Sequence, residues 1–261
     1  MAWDAPMKIL LTNDDGPFGG GVSALRRGLE QLGEVTVVCP ADERSGVSRG
    51  ITFTMPVRVR QARLGDGASV WTLSGTPSDC VFFAFSEIYD SPPDLVVSGV
   101  NIGLNAGVAA HYSGTVAAAL DGALNGVRSV ALSTCASNAE RPDAVAAQAV
   151  RVLDLLLKAG PEGAWAFNVN IPRLDGGEPP ICFVRQCPER PRFRFARRDE
   201  DYGRTHYWMS WQVDGGSAAP DTDVAALARG EIAVTPLRDD LTDAAALETL
   251  RNRLWSDKRT A

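Results

Sequence analysis

Histidine occurs only twice in this 261-residue chain, at His111 and His206. That scarcity argues against a histidine-rich zinc centre, so any metal must be held by oxygen, which favours magnesium, manganese or calcium. The five cysteines, Cys39, Cys80, Cys135, Cys182 and Cys187, are odd in number and include no CxxC pair. They argue against a thiolate zinc site or a dithiol redox centre and read as reduced thiols in a cytosol. No stretch approaches the ~18–20 continuous apolar residues of a membrane span. The opening "MAWDAPM" lacks the basic and apolar pattern of a signal peptide, so a cytoplasmic protein is expected. There is no internal repeat and no low-complexity tract. Basic excess is also missing: the formal charge is −6 and the pI near 5.0, which disfavours general nucleic-acid binding and leaves small ligands as the better partners.

What is present is enough apolar material for a substantial core, 45% of residues against 22% charged. "MKILLTND" reads as a buried strand. "VSALRRGLEQLG" follows with Val22, Leu25, Leu29 and Leu32 at helical spacing, and "EVTVVCP" returns as a strand, completing a βαβ unit. "ITFTMPVRVRQA" and "ASVWTLSG" suggest a hairpin turning at Asp66-Gly67. "TPSDCVFFAFSEI" opens like a helix N-terminus at Thr76, Pro77 and Asp79. "DLVVSG", "TVAAALDGALNG", "SVALST", a helix from about Pro142 to Ala159, "WAFNVNIP" and "EIAVTPL" continue the alternation. The fold expected is α/β and Rossmann-like, a mostly parallel sheet with helices on both faces, forming one domain over residues 1–261. Within it, residues 181–212 read as a projecting hairpin arm and 243–256 as a C-terminal helix.

In such sheets ligands gather beyond the carboxyl ends of the strands. "TNDDG", "VCPADERSG" and "SGVNIG" all lie at such ends. Adjacent carboxylates at Asp14 and Asp15 repel, and in a continuing strand they would point to opposite faces. Gly16 permits a turn that lets both reach one object. Asp-Gly alone is a common turn dipeptide, but two more polar loops follow strands, one with Ser45 and Ser48, the other with Ser98, Asn101 and Asn105. Ser113, Gly114 and Thr115 then precede a helix whose first amides lack internal partners, an arrangement that attracts anions; Ser113 can also cap that helix.

Taken together and in order, "TNDDG", "RSG", "SGTPSDCV", "SGVNIGLNAG", "YSGTVAAA", "NVNIP", "TDVAAL" and "GEIAVTPL" resemble the SurE (survival protein E) family of metal-dependent nucleotidases over nearly the whole chain. The resemblance implies a Rossmann-like domain, one divalent metal ion per subunit (Mg2+ or Mn2+), and hydrolysis of nucleoside 5′- and 3′-monophosphates, with short polyphosphate as a further substrate in some members. It implies catalytic and metal-binding roles for Asp14 and Asp15, with Ser45 and Asn101 completing the ligands. Ser113, Gly114 and Thr115, with Asn13, would hold the phosphate. Two carboxylates balance a divalent cation, and the neutral oxygens add ligands without repelling a phosphomonoester dianion.

Two other readings compete with this one. An aspartate-nucleophile phosphatase would form a phospho-enzyme on Asp14 or Asp15, although that class separates its acids by one residue. A non-catalytic nucleotide-binding or sensor module would keep the phosphate site without turnover. The chain also departs from the family pattern. Arg44 stands where Gln commonly precedes the ligand Ser, and Arg49-Gly50 replaces a segment that often carries His. Either guanidinium is therefore expected to contribute to substrate binding. The family-like first strand begins at Met7, an alternative start. Residues 185–204 hold seven Arg against four Asp or Glu, and Phe193 and Phe195 alternate with Arg192 and Arg194, so one strand face is aromatic and the other basic. An isolated hairpin is marginal in water, and the arm is expected to pack on another subunit of a homodimer or homotetramer.

Overall fold

The computed structural model describes residues 6–19, 21–200, 204–212 and 218–255. Elements follow one another as β1 (Met7–Thr12), α1 (Val22–Leu29), β2 (Gly33–Pro40), β3 (Val59–Arg63), β4 (Ser69–Leu73), α2 (Pro77–Phe83), β5 (Leu95–Ile102), α3 (Gly114–Leu124), β6 (Arg128–Thr134), α4 (Pro142–Ala159), β7 (Ala166–Ile171), β8 (Ile181–Phe183), β9 (Arg192–Glu200), β10 (Arg204–Gln212), α5 (Asp223–Ala228), β11 (Ile232–Leu237) and α6 (Ala244–Trp255).

β1 is buried at every position but Lys8, as a central strand covered on both faces must be. It lies between β2 and β5, parallel to both, in a nine-stranded sheet ordered β3-β4-β2-β1-β5-β6-β7-β11-β8. Successive side chains of β1 enter opposite layers. Ile9 and Leu11 pack with Leu25 and Leu29 of α1 and Val152 and Leu153 of α4, while Leu10 joins Cys80 and Val81 of α2 and Ala118 of α3 on the other face. Helices therefore cover both faces, and only β3 on β4 and β11 on β7 run antiparallel within this sheet. α2 starts at a capping box in which Thr76 and Asp79 satisfy each other's backbone N–H groups, with Pro77 in the first turn.

Two sequence expectations shift. The arm does not begin at Ile181: β8 pairs in parallel with β11 and belongs to the main sheet, and the described arm is β9 and β10, paired antiparallel from Arg192 with Gln212 to Glu200 with Arg204. A three-residue strand is too short to carry a periodic signal, so its neighbour's aromatic alternation absorbed it. Residues 51–58, read as the start of a strand, precede β3 and lie outside it. The segment Met1 to Ala5, which bears on Met7 as a start, lies outside the described residues.

Candidate active site

Strand order determines where the site lies. Because β1 sits between β2 and β5, the connections leaving it and its neighbour diverge to opposite faces, and the crevice beyond its carboxyl end is the switch point of the sheet. Asn13, Asp14 and Asp15 occupy that end. The turn after them is closed by the Asn13 amide, whose Nδ2 donates to the Gly16 carbonyl at 2.8 Å, and by the Gly19 N–H donating to the same oxygen at 3.2 Å. Gly16 has φ +82°, a conformation that favours glycine.

Asp14 is drawn against the start of α3. The Thr115 hydroxyl donates to Asp14 Oδ1 at 2.6 Å, and the Thr115 backbone N–H also serves this carboxylate. A Cβ added at Gly114 would stand 3.2 Å from Asp14 Cβ and 3.0 Å from Pro77 Cγ. Glycine is what lets the helix N-terminus come this close. Ser113 caps the helix, its Oγ accepting the Val116 N–H at 3.1 Å, and retains its hydroxyl proton for donation. Thr115, expected to face phosphate, is fully buried with its hydroxyl on Asp14; its side chain orients an acid.

Asp15 accepts from the Ile102 N–H at the end of β5. The neighbouring Asn101 donates Nδ2 to Gly103 O at 2.6 Å, which leaves its Oδ1 as the free end of the amide. The register between β5 and β6 slips between Ser98 and Asn101. Gly99, at φ +135°, sits so close to β6 that a side chain would overlap the Leu132 carbonyl.

The third loop, residues 41–50, is pinned at several points. The Arg44 N–H donates to the Asp14 carbonyl at 2.8 Å. Ser48, with φ +53°, donates from N to Tyr112 O at 3.0 Å and from Oγ to His111 O at 2.7 Å. Ser45 is exposed and donates to Glu43 Oε1 at 2.7 Å. Glu43 is a third carboxylate within electrostatic reach of both aspartates, and reading by motif missed it because nothing in "ADERSG" separates it from an ordinary loop acid.

The two aspartates resist ionising in this arrangement. Burial pushes the Asp14 carboxyl above the usual carboxylate range, against the lowering effect of Thr115. Asp15 is pushed up to about 6, first by burial, then by the charges of Asp14 and Glu43. Such a pair has the chemistry a divalent cation would need, since a 2+ charge would offset both effects. The Asn101 Oδ1 and Ser45 Oγ can supply neutral oxygens to it. Among the described residues no cluster of three or more His, Cys, Asp or Glu forms a metal site, so these neutral oxygens would have to complete the shell.

Further buried polar residues build the surroundings. Asn168 and Asn170 lie on the same face of β7 two residues apart. Asn105 donates its N–H to Asn170 Oδ1 and its Nδ2 to Ser133 Oγ, both at 2.8 Å, and its carbonyl accepts from Asn168 Nδ2 at 2.8 Å. Two asparagines at that spacing in an apolar strand were a signal of this network. Asp223, fully buried, accepts from the N–H groups of Gly107, Cys187 and Val224 at 2.7, 2.9 and 2.8 Å. It fastens the turn preceding Ser113.

The two departing arginines differ in surroundings. Arg44 turns from the acids and donates to Ser74 O at 2.8 Å and Gly75 O at 3.1 Å. Arg49 pairs through Nε with buried Asp121 of α3 at 2.6 Å. Replacing Arg44 by Gln is therefore expected to lower stability by about 1–3 kcal/mol through the lost charged hydrogen bonds, with KM within twofold of the parent. Calorimetry with steady-state kinetics separates these effects, and a raised KM at unchanged stability would return Arg44 to the substrate.

A doubly wound α/β sheet with paired acids at its switch point and a helix N-terminus beside them defines a class of proteins that bind phosphorylated ligands at strand ends. The family model of Survival protein SurE matches residues 9–191, and the chain belongs to that family. It is 39% identical over 258 residues to the 5′-nucleotidase SurE of Synechococcus sp. (strain RCC307), covering 94% of each chain. With the 5′-nucleotidase SurE of Rhodopirellula baltica it shares 40% over 238 residues, covering 90% of this chain and 94% of that one. The crystal structure of SurE protein from Aquifex aeolicus superimposes with a TM-score of 0.78 at 34% identity, covering 94% of this chain and 99% of the other.

Proposed function

We propose that this protein is a metal-dependent 5′-nucleotidase that hydrolyses nucleoside monophosphates to nucleoside and phosphate. The observation that carries the reading is the seating of Asp14 against the N-terminus of α3, beside Asp15 at the switch point. That seating brings two carboxylates close to the first amides and the hydroxyl of a helix N-terminus, which supports reading them as a cation site and a phosphate cradle. The near-full-length likeness to proteins named 5′-nucleotidase supports it.

Asp14, Asp15, Ser45 and Asn101 would hold one Mg2+ or Mn2+, which when bound polarises the phosphoryl group and makes bound water a better nucleophile. The chain supplies the rest. Thr115 and its amide hold Asp14 in place, the Ile102 N–H holds Asp15, and Ser113 with the Gly114 amide takes the phosphoryl oxygens on which charge accumulates. Asn13 shapes the turn with one amide hydrogen and has a second to offer the phosphate. The crevice grips the phosphoryl end, so 3′-monophosphates and short polyphosphate are expected as additional substrates. The test is phosphate release from nucleotides and polyphosphate with Mg2+, Mn2+ or chelator. Tight nucleotide binding without turnover under every condition would leave the sensor reading instead, and a trapped aspartyl-phosphate would establish the nucleophile reading.

The compartment proposed is a reducing one, since all five cysteines are free. No helix among the described residues is long and apolar enough to cross a membrane. The assembly proposed is a homodimer or homotetramer built through the arm. Phe195, Tyr207, Trp208 and Met209 are each about 60–70% exposed there, large side chains that a subunit contact would cover. Phe193, by contrast, meets Tyr112 of its own chain edge-on at 6.3 Å. Replacing Phe193 and Phe195 by Ser is expected to shift the protein toward monomer in light scattering at micromolar concentration. A parent already monomeric, or an unchanged oligomer, would refute the arm as an interface.

A further inference from the structure

The arm has two unlike faces. Residues opposed in an antiparallel pair share a side, and side chains alternate along each strand. The register of β9 with β10 therefore puts Phe193, Phe195, Tyr207 and Met209 on one face, and Arg192, Arg194, Arg198, His206 and Trp208 on the other. Every member of the second set is exposed, Trp208 at 71%. On the first face Phe193 turns back to the domain, its ring meeting that of Tyr112 edge-on, so the basic face looks outward. Along it Arg192 and Arg194 stand about 7 Å apart, and Arg198 follows about 14 Å beyond, at ~3.4 Å per residue. The position between Arg194 and Arg198 is Ala196, and its cross-strand partner is Trp208. The face thus reads cation, cation, indole, cation.

We propose that this face binds single-stranded nucleic acid, with Arg192, Arg194 and Arg198 on backbone phosphates and a base stacked on Trp208. Single-strand sites join a track of cations to aromatic platforms on which bases lie, and the ribbon supplies both on one side. The row spans about 20 Å, room for a few nucleotides of an extended strand. The indole decides among polyanions: polyphosphate or an acidic peptide would use the arginines and leave Trp208 without a role. A net charge of −6 disfavours general nucleic-acid binding by repelling strands from the body of the protein, but the register gathers cations on an outward face of the arm. Phe195, Tyr207 and Met209 lie on the opposite face, so a subunit contact there and a bound strand here use different sides of the ribbon. The proposal does not depend on the nucleotidase reading.

Fluorescence anisotropy of a labelled oligothymidylate tests it on the full chain, in chelator so that no turnover intervenes. The parent is expected to bind at about 50 mM salt, with log K falling against log salt at a slope near −2, as three neutralised phosphates at about −0.7 each require. No binding by the parent would overturn the proposal. Replacing Arg194 and Arg198 together by Gln is expected to weaken binding at least tenfold, and Trp208→Leu roughly fivefold or more, with far-ultraviolet circular dichroism unchanged in both. If the double variant misfolds, Arg194→Gln alone is read by its salt slope, which should become shallower by about 0.7. Parental affinity in the arginine variants would place the strand elsewhere and refute the site. Parental affinity in Trp208→Leu would reduce the face to a general polyanion surface and overturn the nucleic-acid assignment. Polyphosphate as competitor gives the matching control: it should bind Trp208→Leu and the parent alike, and a parallel loss would remove the argument from stacking.

Discussion

Replacing Asp15 by Asn is expected to abolish turnover and, at pH 7.5 in chelator, to raise the melting temperature. Asp15 titrates near 6 in the folded protein against 3.8 for the free carboxyl, because burial, Asp14 and Glu43 all disfavour its charge. A raised carboxylate means that the folded state holds a proton the unfolded state has released. The associated stability is present below about pH 4 and is lost as pH rises through about 6, so the cost of this one charge is fully felt at neutral pH in the metal-free protein. The neutral amide removes that penalty. Allowing for the partial exposure of the side chain, the gain is roughly 1–2 kcal/mol, or a few degrees for a chain of this size. At pH 4 the variant and the parent should melt together. Asp14→Asn should likewise retain the fold. Each substitution removes a charge from the proposed cation site, and hydrolysis should fall by roughly 10³-fold or more at saturating metal. Near-parental hydrolysis by both variants would refute the assignment of the acids, and a lower neutral-pH melting temperature for Asp15→Asn would refute its electrostatic account.

Gly99→Ala is expected to lower stability by about 3–5 kcal/mol, the second large effect. Its φ of +135° lies where side chains are strained, and the added methyl would run into the Leu132 carbonyl of β6, so backbone strain and a steric overlap combine. The melting temperature should drop by roughly 10 °C. Because Asn101 and Ile102 follow on the same strand, the metal-binding constant should weaken along with stability. Isothermal titration with Mn2+ at a temperature where the variant remains folded measures this, and an unchanged melting temperature would show that β5 can move away from β6.

The sheet strands and helices were legible because each records its own burial. The unbroken apolar run of β1, the 3.6-residue spacing of α1, and Thr76 and Asp79 at the start of α2 are local patterns, and the structure follows them. Strand β8 was not legible, since three residues carry no period and its pairing with β11 joins segments 51 residues apart. The site was half legible. Asp14, Asp15 and the loop from Ser113 stood out because turn chemistry and a helix N-terminus are written in consecutive residues. The Thr115 hydroxyl on Asp14 spans 101 positions and could not be read from either segment.

By itself the sequence determined the class of fold and the three strand-end loops that carry the polar groups of the candidate site. Those properties depend on residue type and short-range spacing. Tertiary structure alone decided that the loops converge, since convergence follows from β1 pairing with both β2 and β5. It also decided that Thr115 positions an acid, that Arg44 braces a loop while Arg49 pairs with Asp121 of α3, and that Glu43 shares the field of the two aspartates. Each of these is a contact between residues distant in the chain, and the direction a side chain takes there is set by the packing of the elements that carry it.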